Sequence, residues 1–189
     1  MNASEMIASY KQVPVRFTAD EFMEIVQHPP IALWSGKIEL VDGEIVRMSP
    51  ANIPHWRVQH DTAQRLRALL ADNADWLVGP EPTVRFADGA VRLPDIGVFR
   101  QPDLSLSVFD AAALFLAVEV ADTSLRIDLG PKLRAYADAG VPHYWVVDLN
   151  AHRTHVMTDP RAGTYWSRQL VPFGEPIVVP SIPLTMTID

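Results

Sequence analysis

Short hydrophobic runs separated by turn residues form the main pattern of this chain. Two alternating runs, 37–41 and 44–48, flank Asp42-Gly43, and an Asp-Gly pair in this setting predicts a β-hairpin. Runs rich in Val, Ile, Leu and Phe predict further strands over 83–86, 91–99, 114–121 and 144–148, and a second hairpin over 153–157 and 164–170. The proline-rich tail from Pro172 predicts an edge segment.

Capping signals and helical spacing predict three helices among these strands. Residues 18–21 match a capping box, and Pro29-Pro30 should end the helix that begins there. Apolar residues recur at helical spacing over 55–71, and a third helix is expected over 126–139, with Gly140 just beyond its end. This order predicts an α/β (mixed α+β) fold, in which a mixed central sheet is flanked by helices and carries an N-terminal hairpin extension.

The length of 189 residues fits one domain, which we place at 17–189 after an N-terminal arm over 1–16. No apolar run approaches the roughly 20 residues of a membrane span, and no signal peptide is visible, so we expect a cytoplasmic protein without membrane contact. The chain has no cysteine, which excludes thiolate metal sites. No glycine-rich phosphate loop occurs, so we expect no nucleotide cofactor.

The net charge of −7 argues against a general nucleic-acid coat protein, which would need many phosphate contacts. An enzyme with a local basic groove is still compatible with it. Lysine is scarce: Lys11, Lys37 and Lys132 are the three in the chain. A lysine close to acidic candidate residues therefore carries weight.

Two acidic residues interrupt hydrophobic runs, Asp95 within 91–99 and Glu119 within 114–121. A carboxylate in a buried strand is costly unless a metal, a cation or hydrogen bonds receive it. If the two strands are neighbours, two hard oxygen donors meet, as Mg²⁺ or Mn²⁺ sites require. The pattern predicts a divalent-metal site; the alternative for Asp95 is a turn hydrogen bond after Pro94.

A series of motifs runs through the chain: Ile38–Glu44, Met48–Pro50 followed by His55, Pro94-Asp95, Val118–Val120, Asp128 with Lys132 and Tyr136, and Gly140–Asp148. In this order they resemble the Uma-two family, bacterial restriction-endonuclease domains of the PD-(D/E)XK nuclease superfamily. The resemblance covers roughly residues 17 to 160. It implies a restriction-endonuclease-like fold and divalent-metal-dependent cleavage of DNA.

The resemblance also implies roles for three residues. Asp95 and Glu119 correspond to the two acidic metal ligands. The superfamily's lysine normally lies two residues after the second acid, where this chain has Ala121. In the Uma-two family the following helix supplies a lysine that matches Lys132. The catalytic set implied is therefore Asp95, Glu119 and Lys132.

Asp128 and Tyr136 lie four residues before and after Lys132, so the predicted helix places all three on one face. This face can be functional, with Asp128 and Tyr136 as auxiliary residues. The simpler alternatives are an ordinary ion pair between Asp128 and Lys132, worth a few tenths of a kcal/mol, and a half-buried packing role for Tyr136.

Glu39 and Glu44 are both candidates for an auxiliary acidic position, and Glu39 is preferred because it lies within the strand and matches the family's acid before the Asp-Gly turn. His55 can contact a phosphate or a metal-bound water, or it can cap the helix that follows. Tyr144 and Trp145 are interpreted as core aromatics.

An acidic chain that cleaves DNA needs a local positive rim, and Arg57, Arg126 and Arg134 are the candidates because they lie on or next to the predicted helices. A nuclease that cuts both strands favours a homodimer. Two other functions stay open. One is a catalytically silent nuclease-fold module that binds nucleic acid or a protein; the other is a hydrolase of another phosphate ester.

Overall fold

The computed structural model describes residues 15–28, 36–179, 182 and 184–189. The predicted arm over 1–16 lies outside the described residues except for Val15 and Arg16, and so does the predicted helix stop at Pro29-Pro30. Among the described residues, no helix is both long and apolar enough to cross a membrane.

Helices and strands follow one another along the chain. The helices are α1 (Ala19–Ile25), α2 (Ile53–Leu70), α3 (Leu125–Ile127) and α4 (Leu133–Asp138); a 3₁₀ turn occupies Ala111–Ala113, and a π-helical turn, Asp128–Lys132, joins α3 to α4. The strands are β1 (Ile38–Val41), β2 (Glu44–Arg47), β3 (Trp76–Pro80), β4 (Val84–Arg85), β5 (Val91–Arg92), β6 (Ile96–Arg100), β7 (Phe109–Asp110), β8 (Leu114–Ala121), β9 (His143–Asp148), β10 (Arg153–Arg161), β11 (Thr164–Pro172), β12 (Ile177–Val179) and β13 (Leu184–Met186).

A six-stranded sheet in the order β11-β10-β9-β8-β6-β3 forms the centre of the fold. The pair β8 and β9 is parallel and the other pairs are antiparallel. Alternate residues of β9 face opposite sides, so Trp145 packs with Leu66 of α2, while Tyr144 packs with Leu133 of α4. The predicted mixed sheet flanked by helices is confirmed, and both aromatics of β9 are core residues.

A second sheet, in the order β2-β1-β5-β4-β7, carries the predicted hairpin. Asp42 and Gly43 both have positive φ, as a two-residue hairpin turn requires. Leu40 packs with Phe22 of α1 on one side of this sheet, and the capping box predicted for α1 is present. Glu39 projects from the opposite face of β1 and is buried. The hairpin therefore delivers a buried carboxylate to the interior.

Two expectations are corrected by the sheets. The strand predicted over 91–99 is two strands, because the chain leaves β5 of the smaller sheet at Leu93-Pro94 and enters β6 of the central sheet. Proline lacks a backbone donor and suits such a crossing. The tail is a separate hairpin of β12 and β13 whose Ile177 and Met186 join the central core, so it is not an edge segment.

Gly97 of β6 should be essential for the packing of Phe99 and Pro82 against this strand. A methyl group there would lie 2.7 Å from the Phe99 ring and 2.7 Å from Pro82. We expect Gly97→Ala to lower the free energy of unfolding by about 1–3 kcal/mol in urea titrations, the usual cost of overpacking. Gly79 is its direct partner on β3 and has open space, so Gly79→Ala is the matched control. Equal destabilisation by both changes would contradict this explanation.

Candidate active site

A cleft of about 730 Å³ opens where the two sheets meet. Its walls come from the β1–β2 hairpin, the start of α2, the end of β8 and the π-helical turn. Three of the predicted site residues, Asp95, Glu119 and Lys132, line it together. The topology explains this, because β6 and β8 are neighbours in the central sheet and the π-helical turn follows β8.

Asp95 is buried at the point where the chain enters β6. Its Oδ2 accepts the backbone N–H of Val120 at 2.7 Å and lies 3.1 Å from His55 Nε2, while its Oδ1 binds the ammonium of Lys37. Burial alone would raise the pKa of Asp95, but the His55 hydrogen bond and the charge of Lys37 hold that pKa well below its usual range. Asp95 is therefore an anion at neutral pH.

Glu119 is buried in β8 and contacts the helix segment that follows. Its Oε2 lies 3.0 Å from Lys132 Nζ, and its Oε1 accepts the hydroxyl of Tyr136 at 2.8 Å. Burial raises the pKa of Glu119 to about 7, against the opposing effect of Lys132 and with further contributions from Asp95 and Asp128. Glu119 thus gains and loses its proton in the neutral range.

One ammonium serves several carboxylates at this end of the cleft. Lys132 Nζ also lies 3.7 Å from Asp128 Oδ1 and 3.9 Å from Glu39 Oε1. Burial opposes the charge of Lys132, but these carboxylates outweigh it and raise its pKa. Glu39 is held in place by the backbone N–H of Leu93 at 3.0 Å. Four predicted residues, Lys132, Glu119, Asp128 and Glu39, therefore form one buried ionic cluster.

The π-helical turn explains how Lys132 comes to be buried. Pro131 cannot donate a backbone hydrogen bond and disfavours a regular helix, and the turn of Asp128–Lys132 is widened to the π form. Asp128, Lys132 and Tyr136 are all buried, and Asp128 and Tyr136 contact Lys132 and Glu119 respectively in the same ionic cluster. The Ser124 hydroxyl donates to Asp128 Oδ2 at 2.5 Å and fixes the start of this segment.

His55 has its ring in the cleft, and the helix cap is provided by another residue. Asn52 is the N-cap of α2, and its side chain accepts the backbone N–H of His55 at 3.0 Å. The ring of His55 is free to reach Asp95. Burial lowers the pKa of His55, but the contact with Asp95 outweighs it and raises that pKa above the usual value.

Three residues of the site, Lys37, Gln59 and Glu81, were not predicted from the sequence. Lys37, just before β1, binds Asp95 and lies 3.5 Å from Glu81 Oε1. The Gln59 side chain donates to the backbone carbonyl of Asp95 at 2.8 Å and reaches Glu81 at 3.4 Å. The scarcity of lysine was a usable signal for Lys37. Neither Gln59 nor Glu81 stands in a pattern that separates it from an ordinary surface residue.

The arginines predicted for the rim, Arg57, Arg126 and Arg134, are exposed and lie outside the lining of the cleft as far as the chain is described. Arg134 lies against Gly163 in the turn between β10 and β11. Arg47 of β2 lines the cleft instead. The rejected acid, Glu44, is exposed and pairs with Arg16 at 3.4 Å.

The donor chemistry of the cleft fits a hard divalent cation, because Asp95 and Glu119 offer buried carboxylate oxygens at adjacent strands. Among the described residues, however, no three His, Cys, Asp or Glu side chains are grouped so as to hold a metal as they stand. Lys37 and Lys132 each bind one of the two carboxylates. The residues fit such an ion by type, and their charges are at present balanced by ammonium groups.

Comparison with known proteins agrees with the predicted fold and family. The Uma2 family, described as "Putative restriction endonuclease", matches residues 27–189. A crystal structure titled as a putative nuclease belonging to DUF820 from Anabaena variabilis is 17% identical, with a TM-score of 0.69 over 90% of this chain and 94% of that one. No curated protein matches the chain. The likeness in structure confirms the predicted fold class, and the family match shows that this chain belongs to the Uma2 family.

Proposed function

We propose that this chain is a divalent-metal-dependent endonuclease that hydrolyses phosphodiester bonds in DNA. The observation that carries the proposal is the contact of 3.0 Å between Lys132 Nζ and Glu119 Oε2, in a cleft that Asp95 also lines. Two acids and a lysine in one cleft are the chemical set that phosphodiester hydrolysis by this superfamily uses. Here the lysine comes from the helical segment after β8. The position two residues after Glu119, where the superfamily normally has its lysine, is the uncharged Ala121.

Asp95 and Glu119 are the residues that would hold the metal, which when bound supplies a hydroxide-like nucleophile and offsets negative charge on the phosphate. Lys132 contributes a fixed positive charge, because its pKa is raised and it stays protonated at neutral pH. Negative charge grows on the phosphate oxygens during attack, and a preorganised ammonium in a water-poor site stabilises that charge strongly. Tyr136 holds the Glu119 side chain in position, and Asp128 holds that of Lys132.

The shape of the cleft and the cations in its lining support a nucleic-acid substrate. It is open, and its described lining includes Lys37, Arg47 and Lys132, which suit a phosphate backbone. The exposed Arg57, Arg126 and Arg134 are proposed to contact DNA farther from the scissile bond. A homodimer of the unit 17–189 would cut both strands of a duplex, which completes the proposal.

The test is cleavage of supercoiled plasmid, linear duplex and single-stranded DNA with Mg²⁺, with Mn²⁺ and with EDTA. We expect nicking or linearisation of the plasmid with either ion and none with EDTA. Asp95→Asn should abolish cleavage, because the amide removes an anionic ligand while keeping the size of the side chain. Cleavage by Asp95→Asn at the wild-type rate, or in EDTA, would overturn the proposal.

A second function, a catalytically silent nuclease-fold module that binds nucleic acid or a protein, is favoured by one feature of the cleft. Both candidate ligands already hold lysine partners, and the described lining has five carboxylates against three lysine and arginine cations. The same assay separates the two functions. DNA binding without cleavage under every ion, unaffected by Asp95→Asn, is the result the silent module requires.

A further inference from the structure

The Lys37 ammonium is surrounded by oxygen atoms. Its ammonium binds Asp95 Oδ1 and lies 3.5 Å from both Glu81 Oε1 and the backbone carbonyl of Leu93. Two carboxylates and a carbonyl are the donors that a hard divalent cation also selects. The side chain of Lys37 is 17% exposed, so this positive charge is largely removed from water.

The contacts of Asp95 leave one place for a competing cation. Oδ2 is engaged by the Val120 backbone N–H and by His55, both of which belong to neighbouring secondary structure. Oδ1 is engaged by Lys37, a flexible side chain that begins outside the strands. A divalent ion and an ammonium repel each other at hydrogen-bond distances, so each weakens the binding of the other at Oδ1.

Glu81 is held beside this position by contacts of its own. Its backbone has a positive φ of 49°, a conformation that non-glycine residues seldom adopt. The Glu81 backbone N–H donates to the carbonyl of Asp95 at 3.1 Å, and Gln59 donates to its side chain at 3.4 Å. The carboxylate is 44% exposed, at the edge of the cleft and within reach of Lys37.

We propose that Lys37 is the resident counter-cation of Asp95, holding the position at Oδ1 that a divalent metal takes, and that Glu81 receives the ammonium when the metal binds. The inference rests on the proposed function in one respect, namely that Asp95 ligates a metal. Lys37 is then a positioning residue that sets metal affinity. In this exchange Glu81 is not a metal ligand. It balances the charge of the Lys37 ammonium while Asp95 binds the metal.

The size of the effect follows from competition. If Lys37 holds Asp95 in nine-tenths of the metal-free molecules, the apparent affinity for the metal is about tenfold weaker than the intrinsic one. Replacing Lys37 by methionine removes the competitor and retains a long apolar stem. We expect Lys37→Met to bind Mn²⁺ about tenfold more tightly than the wild-type protein, measured by calorimetry without DNA.

Three variants make this measurement specific. Lys37→Arg keeps the charge and should bind Mn²⁺ about as weakly as the wild type. Arg161→Met removes one positive charge at an exposed position away from the cleft and reports the general electrostatic effect, which we expect to be below about threefold at 0.15 M salt. Asp95→Asn, introduced into the Lys37→Met variant, should abolish the tight Mn²⁺ binding that Lys37→Met gains. Thermal melting of each variant confirms that it is folded.

Glu81 is tested in two backgrounds. Glu81→Gln alone should weaken Mn²⁺ binding severalfold, because Lys37 loses its second partner and remains on Asp95. In the Lys37→Met background the same change should have only the general electrostatic effect, below about threefold at 0.15 M salt. An equal loss in both backgrounds would overturn the role given to Glu81 and make it a direct ligand.

The outcomes separate this inference from the proposed function. Equal Mn²⁺ affinity of a folded Lys37→Met and the wild type, together with metal-dependent DNA cleavage, would overturn the role of Lys37 and leave the nuclease proposal intact. Weaker binding by Lys37→Met would also overturn it. Tighter binding by Lys37→Met without any cleavage of DNA supports the counter-cation and counts against the nuclease.

Discussion

Lys132→Met should reduce DNA cleavage at least a hundredfold. Lys132 is the ammonium nearest to Glu119, and methionine keeps its length while removing the charge. Loss of one preorganised group that stabilises transition-state charge costs about 10²–10³ in rate. Single-turnover cleavage of supercoiled plasmid with saturating Mg²⁺ measures this loss without a contribution from product release.

The same change should also affect folding, because Lys132 is buried among carboxylates. Removing one partner of a buried ionic cluster typically costs about 3–5 kcal/mol. Cleavage must therefore be compared at a temperature at which circular dichroism shows both proteins folded. Lys132→Arg keeps the charge and tests geometry, since a planar guanidinium is bulkier and donates in fixed directions. It should stay folded and still cleave much more slowly.

A matched control comes from an exposed cation far from the cleft. Arg161 lies at the end of β10 and pairs with Asp159 at 3.0 Å, so Arg161→Met makes the same change in charge without touching the ionic cluster. It should cleave like the wild type. If a folded Lys132→Met cleaves as fast as Arg161→Met, the lysine has no part in the chemistry and the nuclease proposal loses its carrying observation.

The sequence allowed the two main acids to be predicted because their signal is local: Asp95 and Glu119 stand out as charges within apolar runs. Lys132 was implied by the resemblance to the Uma-two family, and Asp128 and Tyr136 lie at helical offsets from it. Such patterns reflect burial and helical repeat, which neighbouring residues determine. The structure brings these residues into one cleft, where their catalytic roles remain a proposal.

Lys37 and Glu81 could not be assigned in the same way, because their positions depend on contacts between the two sheets. Lys37 precedes the hairpin of the smaller sheet and reaches Asp95 of the central sheet, 58 residues later. Glu81 follows β3 and is placed by its backbone bond to Asp95. Nothing in the residues adjoining either one distinguishes it from a solvated charge.

The strand division at Leu93-Pro94 has the same origin. An apolar run such as 91–99 satisfies the pattern of one long strand, and only the partners of each half reveal two sheets. Leu40 pairs with Val91 in one sheet, while Ile96 pairs with Val118 in the other. The crossing between them places Asp95 at the start of β6, beside the end of β8.

Glu119→Gln should abolish cleavage and yet stabilise the protein above neutral pH. The activity loss, at least a hundredfold, follows if Glu119 ligates the metal, because an amide is a much poorer ligand for a hard cation. The gain in stability follows from the ionic cluster, where Glu119, Asp128 and Glu39 share Lys132. An amide oxygen can still accept from Lys132 while the amide N–H donates to the Tyr136 hydroxyl.

The pH dependence gives this prediction its sign. The pKa of Glu119 is about 7 in the folded protein and 4.5 as the ordinary value, so the folded state binds the proton more tightly. Stability from this group is fully present below about pH 4.5 and is lost as the pH rises through 7. The difference corresponds to about 3 kcal/mol. Glutamine does not titrate and removes this loss.

Urea unfolding of the wild type and of Glu119→Gln at pH 5 and pH 8 provides the measurement. We expect similar free energies of unfolding at pH 5 and an advantage of about 1–3 kcal/mol for Glu119→Gln at pH 8. Glu175→Gln makes the same change at an exposed position and should shift neither value by more than about 0.5 kcal/mol. A destabilised Glu119→Gln at pH 8 would mean that Lys132 needs the Glu119 charge for folding. The negative charge of Glu119 would then balance Lys132, and would not be in excess over the positive charge of the cluster.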